Sequence, residues 1–174
     1  MKEKLNVVII GSGGREHALA LKIAQSSILD TLYIAPGNSG TARVGTNIDL
    51  NPVDFASIRE FALGKDIDVI LVGPEDPLVY GIYDFIKKDP STHHICVIGP
   101  SAAGALLEGS KDFAKQFMQK YSIPTASYAT FDKDTFDQAL TFLRSMQPPY
   151  VLKADGLAAG KGVVICYHFD QAAE

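Results

Sequence analysis

A glycine-rich segment near the start of the chain has the residue types that bind phosphate. Residues 11–14 are Gly-Ser-Gly-Gly between a predicted strand and a predicted helix, and Arg15 and Glu16 follow. Glycines let the backbone approach an anion closely, a helix N-terminus offers unpaired N–H groups, and an arginine adds a forked donor. We therefore predict that a phosphate lies over Gly13 and Gly14. A tight strand-to-helix turn without a ligand is the alternative.

A nicotinamide dinucleotide site uses a similar segment but needs two further features. It requires a third glycine, where Glu16 stands, and an acidic residue at the end of the second strand, where residues 35–37 are Ala-Pro-Gly. Because both features are missing, the sequence disfavours a dinucleotide-binding oxidoreductase. Titration with NADH, followed by its fluorescence, would test that alternative.

Two more loops follow the second and third predicted strands. Residues 36–40 are Pro-Gly-Asn-Ser-Gly, and residues 73–78 are Gly-Pro-Glu-Asp-Pro-Leu. Because the carboxyl ends of parallel strands meet at one edge of a sheet, we expect both loops beside the phosphate site. Glu75 and Asp76 are candidates to bind the hydroxyls of a ribose or the amine of a substrate. Capping of a helix that begins at Leu78 is the alternative.

A second glycine-rich segment, residues 150–163, has the composition of a polyphosphate site. Lys153 ends a predicted strand, from which it can reach an α- or β-phosphate, and the backbone of residues 156–162 can fold over the γ-phosphate. The segment is not a P-loop, because Gly162 rather than Ser or Thr follows Lys161, and a strand comes next. A flexible hairpin with a solvated lysine is the alternative.

Lys111 opens the predicted helix that leads into this second segment, and it is a candidate third phosphate contact. A solvated lysine is the alternative, although a cation in a first helical turn is mildly unfavourable beside the helix dipole. The histidines show no metal-ligand spacing with cysteine or with each other, so the sequence predicts no zinc site.

The elements that position these motifs are those of an α/β protein. Through residue 100, apolar runs of strand length alternate with segments of helical period, which favours parallel strands with crossover helices. After residue 100 this alternation of strands and helices changes. We therefore expect one domain at residues 1–100 and an incomplete second domain at 101–174, cut short by truncation. The predicted strands are residues 6–10, 31–35, 68–72, 95–98, 127–130, 150–154 and 163–167, and the predicted helices are 16–25, 54–63, 78–88, 110–121, 133–146 and one from Asp170.

The composition excludes several classes of protein. The 174 residues carry a net charge of −4 without a cluster of Lys and Arg, which argues against a nucleic-acid partner. The apolar runs have strand length, so no membrane span is expected, and the first residues leave no room for a signal peptide. We expect a cytoplasmic globular protein. Cys96 and Cys166 each stand in an apolar run, which predicts two buried small side chains.

Six segments in this order resemble the phosphoribosylamine–glycine ligase family of the ATP-grasp superfamily: GSGGREHA, PGNSG, GPEDPLVYG, GPSAAGALLEGSK, IPTASY and LKADGLAAGKGV. They span nearly the whole chain, and GGREHA together with the GLAAGKGV hairpin distinguishes this family from other ATP-grasp ligases. The resemblance implies an open parallel-sheet, Rossmann-like (pre-ATP-grasp) N-terminal domain followed by the beginning of an ATP-grasp domain.

The resemblance also implies a reaction in de novo purine (IMP) biosynthesis. ATP phosphorylates the carboxylate of glycine, and the amine of phosphoribosylamine attacks the acyl phosphate to give glycinamide ribonucleotide, ADP and phosphate. Carried over by position, the substrate site comprises Gly13, Gly14, Arg15, Glu16, Asn38, Gly40, Glu75 and Asp76. The ATP site comprises Lys111, Lys153, Gly156, Gly160, Lys161 and Gly162.

In this family the ligands of Mg²⁺ or Mn²⁺ are expected beyond residue 174, as is the rest of the nucleotide pocket. We therefore expect no ligase activity from this chain alone, and ADP release above background in a coupled assay would contradict that. The full-length enzyme is expected to be a monomer acting on phosphoribosylamine, glycine and ATP. A non-catalytic binding or assembly module of the same fold is the remaining alternative, but it leaves Lys153 and the glycine-rich hairpin unexplained.

Overall fold

The computed structural model describes residues 3–158 and 161–174. The chain divides into two compact units, Met1–Ala105 and Leu106–Glu174. A domain division at residue 100 stays a prediction. No helix among the described residues combines the length and the apolar character needed to cross a membrane.

The first unit is built on a parallel five-stranded sheet, with strands in the order β3-β2-β1-β4-β5. This confirms the predicted α/β class with an open parallel sheet. The short β3 was not predicted, because its two residues are too few to form a recognisable apolar run. The strands are β1 (Leu5–Gly11), β2 (Leu29–Pro36), β3 (Thr46–Asn47), β4 (Val69–Val72) and β5 (Cys96–Ile98).

Strand β1 is the centre of this sheet, since it pairs with β2 on one side and with β4 on the other. Its alternate side chains enter two separate apolar clusters. Val8 and Ile10 belong to one cluster, and Val7 and Ile9 belong to the other. Because a central parallel strand is covered on both faces, its sequence is a continuous apolar run rather than an alternating one.

The helices of the first unit agree with the sequence except at residues 78–88 and after β5. A single helix was predicted at residues 78–88, but the structure has two, because Gly81 adopts a left-handed conformation with φ of 94°. A residue with positive φ cannot continue a right-handed helix. The helices are α1 (Gly14–Ile23), α2 (Phe55–Gly64), α3 (Glu75–Val79) and α4 (Ile82–Lys88), and α5 (Ala102–Gly109), which was not predicted, follows β5.

Among its described residues, the second unit contains an antiparallel pair of strands and three α-helices. The helices are α6 (Lys111–Lys120), α7 (Phe136–Ser145) and α8 (Phe169–Ala173), and the strands are β6 (Tyr150–Lys153) and β7 (Val163–Cys166). Tyr150, Cys166 and Ala172 form its small buried core.

Two expectations about individual segments are wrong. Residues 127–130 do not form a strand; the preceding residues are instead held by Lys115, whose Nζ donates to Thr125 Oγ1 and to the Ala126 carbonyl. Cys96 is exposed, whereas Cys166 is buried as predicted. Strand β5 lies at the edge of its sheet, and of its three residues only Val97 faces the core.

Candidate functional site

The carboxyl ends of β1, β2 and β4 meet at one edge of the first unit, as the sequence predicts. The chain passes from β1 to one side of the sheet and returns to the other side through β4, so the crevice between these strands is the topological switch point. Gly37 N–H donates to the Gly11 carbonyl at 3.1 Å, and Gly73 N–H donates to the Ile10 carbonyl at 2.9 Å. These two hydrogen bonds hold the loops that follow β2 and β4 against the end of β1.

The carboxylate of Glu16 fills this crevice, with only 5% of the side chain exposed. Its Oε2 accepts a hydrogen bond from Gly13 N–H at 2.6 Å. A Cβ at Gly11 would lie 2.7 Å from Glu16 Cγ, and a Cβ at Gly73 would overlap Glu16 Oε1. Oε1 has no hydrogen-bond partner among the described residues, although Arg15 Nε lies 3.5 Å away in an ion pair.

The position of Glu16 argues against the dinucleotide alternative. In a dinucleotide site this crevice receives the pyrophosphate, and the third glycine allows close packing of the helix on the strand. Here a carboxylate occupies the crevice and already accepts the Gly13 N–H. A second anion in the same space would be repelled and would lack that donor.

Arg15 and Gly14, in contrast, are accessible at the start of α1. The Arg15 side chain is 67% exposed, and its Nη2 lies 3.6 Å from Glu75 Oε2. A Cβ at Gly14 would meet nothing within 4 Å. The first N–H groups of a helix have no acceptor within it, so this turn can bind an anion.

Glu75 and Asp76 lie in the first turn of α3, and Pro74 is the residue that precedes it. The helix therefore begins at Glu75 rather than at Leu78, and stabilisation of its N-terminus by these two carboxylates remains the alternative to a substrate role. The ion pair of Glu75 with Arg15 joins the loop after β4 to the loop after β1. Asp76 is exposed beside Glu75.

Asn38 links the loop after β2 to the phosphate-binding segment. Its Nδ2 donates to the Ser12 carbonyl at 2.8 Å and to the Gly13 carbonyl at 3.3 Å. Its Oδ1 accepts from the backbone N–H groups of Gly40 at 2.7 Å and Thr41 at 3.1 Å. The Asn38 amide thus orients the two loops, and its role as a substrate contact stays a prediction.

Sequence reasoning missed the residues that support Asn38. Thr41 is completely buried, and its hydroxyl accepts from Asn38 N–H at 2.7 Å and donates to Asn47 Oδ1 at 2.8 Å. A Cβ at Gly40 would lie 2.5 Å from the imidazole of His17, so the glycine lets the loop pack on α1. The signal available was the Asn-x-x-Thr spacing, which is typical of side chains that bond to nearby backbone.

A cavity of about 410 Å³ lies within the second unit. Its charged lining residues are Lys111, Asp112, Lys115, Lys153 and Asp155, and most of the other lining residues are apolar or aromatic. An apolar cavity bordered by a few charged groups is typical of a small-molecule site. The structure therefore places two of the predicted phosphate contacts, Lys111 and Lys153, on one cavity.

The glycine-rich hairpin is described at both ends but not at Gly160, which lies outside the described residues. Gly162 carbonyl accepts from Ala154 N–H at 2.8 Å, and Lys161 N–H donates to the Ala158 carbonyl at 2.8 Å. Gly156 has a left-handed conformation with φ of 84°. The hairpin connects β6 and β7, as the sequence predicts.

Asp155 is the functional-site residue that sequence reasoning missed in this unit. Burial raises the pKa of its carboxyl, but hydrogen bonds from Gly156, Asp112 and Lys111 N–H and from the Ser110 hydroxyl together hold that pKa below the ordinary value of 3.8. The carboxylate is therefore ionised at neutral pH.

The described part of the chain contains no group of three or more His, Cys, Asp or Glu side chains able to hold a metal ion.

Comparison with known families accounts for both units. A model of the N domain of phosphoribosylglycinamide synthetase matches residues 5–108, and a model of the ATP-grasp (A) domain of the same enzyme matches residues 109–174. The chain belongs to the phosphoribosylglycinamide synthetase family. The resemblance seen in the six sequence segments is thereby confirmed.

Curated members of this family are similar to almost the whole chain. The phosphoribosylamine–glycine ligase of Haemophilus influenzae is 45% identical over 97% of this chain and 38% of its own length. That of Clostridium acetobutylicum is 45% identical over 98% of this chain and 39% of its own length. The chain therefore spans about two-fifths of the length of the curated relatives it matches.

Solved structures show the same fold. The phosphoribosylamine–glycine ligase of Thermotoga maritima is 34% identical, with a TM-score of 0.72 over 97% of this chain and 38% of that one. An N5-carboxyaminoimidazole synthase of Aspergillus clavatus, in complex with ADP and an aminoimidazole ribonucleotide, has a TM-score of 0.73 over 98% of this chain and 42% of that one. At 17% identity, the second likeness shows the fold alone.

Proposed function

We propose that this chain is part of a ligase that joins glycine to 5-phosphoribosylamine. ATP is converted to ADP and phosphate through an acyl phosphate of glycine, and the product is glycinamide ribonucleotide. The observation that carries the proposal is that two matched domains of one ligase family cover residues 5–108 and 109–174, each with its own glycine-rich segment. Catalysis of this kind depends mainly on positioning and on neutralising charge.

The first unit would bind the phosphoribosyl substrate. The first turn of α1 and the exposed Arg15 supply donors for the phosphate, with Gly14 leaving room for it. Glu75 and Asp76, in the first turn of α3, supply acceptors for ribose hydroxyls or the amine, and Glu75 lies beside Arg15. The loops around the substrate are oriented by Asn38, Gly40 and Glu16. We propose that these three residues hold the loops in the conformation that binds the substrate.

The second unit would bind ATP. Lys111 and Lys153 border its cavity and carry the charge that polyphosphate requires. The backbone of the hairpin, from Gly156 to the proposed contacts Gly160, Lys161 and Gly162, would cover the phosphates. Mg²⁺ or Mn²⁺ would neutralise phosphate charge in the family's reaction, but the described residues hold no cluster suited to it, so we assign it no ligand here.

Calorimetric titration with glycinamide ribonucleotide, the stable product, tests the proposal. We expect saturable binding by the chain and its loss in Arg15→Ala. Lys22→Ala is a matched control, because it removes the same charge from the last turn of α1, away from the loops. Binding that survives Arg15→Ala, or that is lost equally in Lys22→Ala, would contradict the proposed phosphate site.

Protection of the hairpin from proteolysis tests the ATP site and the remaining alternative together. A ligase fragment should show slower cleavage of residues 154–162 when ATP is added. A non-catalytic assembly module has no reason to respond. The monomeric state and cytoplasmic location of the full-length enzyme stay predictions.

A further inference from the structure

The N-terminus of α6 binds a carboxylate of its own chain. Lys111 N–H donates to Asp155 Oδ1 at 2.7 Å, and Asp112 N–H donates to the same oxygen at 3.3 Å. The Ser110 hydroxyl donates to Asp155 Oδ2 at 3.1 Å and accepts from Phe113 N–H at 3.1 Å. Asp155 thus satisfies backbone donors that have no acceptor within the helix.

The side chain of Lys111 bonds the hairpin at the next residue. Its Nζ donates to the Gly156 carbonyl at 2.8 Å. The first turn of α6 therefore contacts the hairpin twice, through its backbone at Asp155 and through a side chain at Gly156. Gly156 itself has a φ of 84° and an open Cβ position, a backbone conformation that glycine adopts without strain.

These two contacts differ in how they would respond to a phosphate. A phosphate that binds Lys111 would replace a neutral carbonyl with a charged acceptor, and charged acceptors make the stronger hydrogen bond. The bonds of Asp155 come from backbone N–H groups and a hydroxyl, so they do not depend on where the Lys111 side chain points. The carboxylate can keep its place while Lys111 changes partner.

We propose that Asp155 is a positioning residue that anchors the start of the glycine-rich hairpin to the N-terminus of α6, and so fixes Lys111 and Lys153 on one cavity. This inference rests on the proposed ATP site for its functional consequence. The anchor itself rests only on the contacts of Asp155.

Hydrogen exchange of the 174-residue chain without nucleotide tests the anchor directly. In Asp155→Ala, the amides of Lys111 and Asp112 and those of residues 156–158 should exchange about tenfold faster or more, as expected for the loss of bonds to a charged acceptor. Asp155→Asn keeps an acceptor oxygen in the same place and should restore most of the protection. Unchanged exchange in Asp155→Ala would overturn the proposal.

Asp132→Ala is the matched control. Asp132 also caps a helical turn in this unit, accepting from Asp134 N–H at 3.0 Å and from Thr135 Oγ1 at 2.8 Å. Its removal should speed exchange at Asp134 and leave Lys111 and the hairpin unchanged. If Asp132→Ala loosens the hairpin as much as Asp155→Ala does, the effect is general instability, and the anchor is rejected.

Calorimetry with ATP and Mg²⁺ tests the functional consequence. Asp155→Ala should raise the Kd about tenfold, whereas Asp155→Asn and Asp132→Ala should bind as the unmodified chain does. Equal affinity in Asp155→Ala and the unmodified chain would overturn the positioning role. If the unmodified chain binds no ATP, residues 1–174 do not form an ATP site on their own, and hydrogen exchange still decides the anchor.

Discussion

The carboxylate of Glu16 lies against the backbone of Gly73, so closely that a Cβ at residue 73 would overlap Glu16 Oε1. The same carboxylate accepts a hydrogen bond from Gly13 N–H at 2.6 Å. One side chain of α1 therefore supports the loops after β1 and β4 at the edge where the substrate would bind. The geometry of this site therefore depends on the buried Glu16 carboxylate and on the absence of a side chain at residue 73.

We expect Gly73→Ala to lower the free energy of unfolding of the first unit by about 1–3 kcal/mol, because the added methyl must displace Glu16 in a packed crevice. Urea denaturation followed by circular dichroism measures the change. Gly64→Ala is the matched control, since a Cβ at the last residue of α2 would meet nothing within 4 Å. A loss of stability in Gly64→Ala as large as that in Gly73→Ala would show that the crevice is not the cause.

Thr41→Val tests the network beneath Asn38. Valine has nearly the same shape as threonine but leaves Asn38 N–H and Asn47 Oδ1 without the hydroxyl, so we expect a loss of about 1–3 kcal/mol in unfolding free energy. Thr141→Val, at an exposed position of α7, should change stability by less than about 0.5 kcal/mol. Equal effects in thermal denaturation would contradict a role for the buried hydroxyl.

Stability should decrease as the solution is acidified. Hydrogen bonds lower the pKa of Asp54, Asp89 and Asp132 below the ordinary value of 3.8, with the Ser57, Ser91 and Thr135 side chains, respectively, as the largest causes. A carboxyl whose pKa is lower in the folded state binds a proton more readily when unfolded, so its stabilisation is present above 3.8 and is lost as the pH falls through the folded pKa.

Urea midpoints measured from about pH 6 to about pH 3 check this dependence. In Asp54→Asn, residue 54 has no proton to gain, so the midpoint should fall less steeply with acid than in the unmodified chain. A midpoint that rises on acidification would show that the sign is wrong.

The two cysteines should react at different rates with a thiol reagent. Cys96 is exposed on the edge strand β5, whereas Cys166 is buried at 4% exposure. We expect one thiol to react rapidly in the folded chain and the second only after unfolding. Cys96→Ser should abolish the rapid phase, and Cys166→Ser should leave it intact. A rapid phase that persists in Cys96→Ser would contradict the exposure of this residue.

The sequence predicts the loops of this protein better than it predicts the contacts inside them. Glycine at the end of β1 and immediately after β4 marks where each strand stops, so the edge that carries the first site follows from local pattern. The lysine of β6 and the hairpin after it follow in the same way. Strand and loop positions are set by residues that are near one another in the chain.

Burial of Glu16 and the hydrogen bonds of Asp155 depend instead on residues far away in the chain. A carboxylate after a glycine-rich turn is ordinarily solvated, and the absence of side chains at Gly11 and Gly73 is what leaves room for Glu16 in the crevice. The donors to Asp155 are backbone groups of Lys111 and Asp112, which have no signature in the residue types. The break at Gly81 was also missed, because a single glycine within a helical pattern is often tolerated.

The central position of β1 also has a consequence for how the chain folds. β1 is the first strand of the chain, yet one of its two neighbours, β4, begins only at Val69. During synthesis, Val8 and Ile10 therefore cannot be fully covered until the intervening residues have left the ribosome and the long loop to β4 has closed. Non-local pairing of this kind slows folding, so closure of β4 onto β1 is the step that should limit its rate.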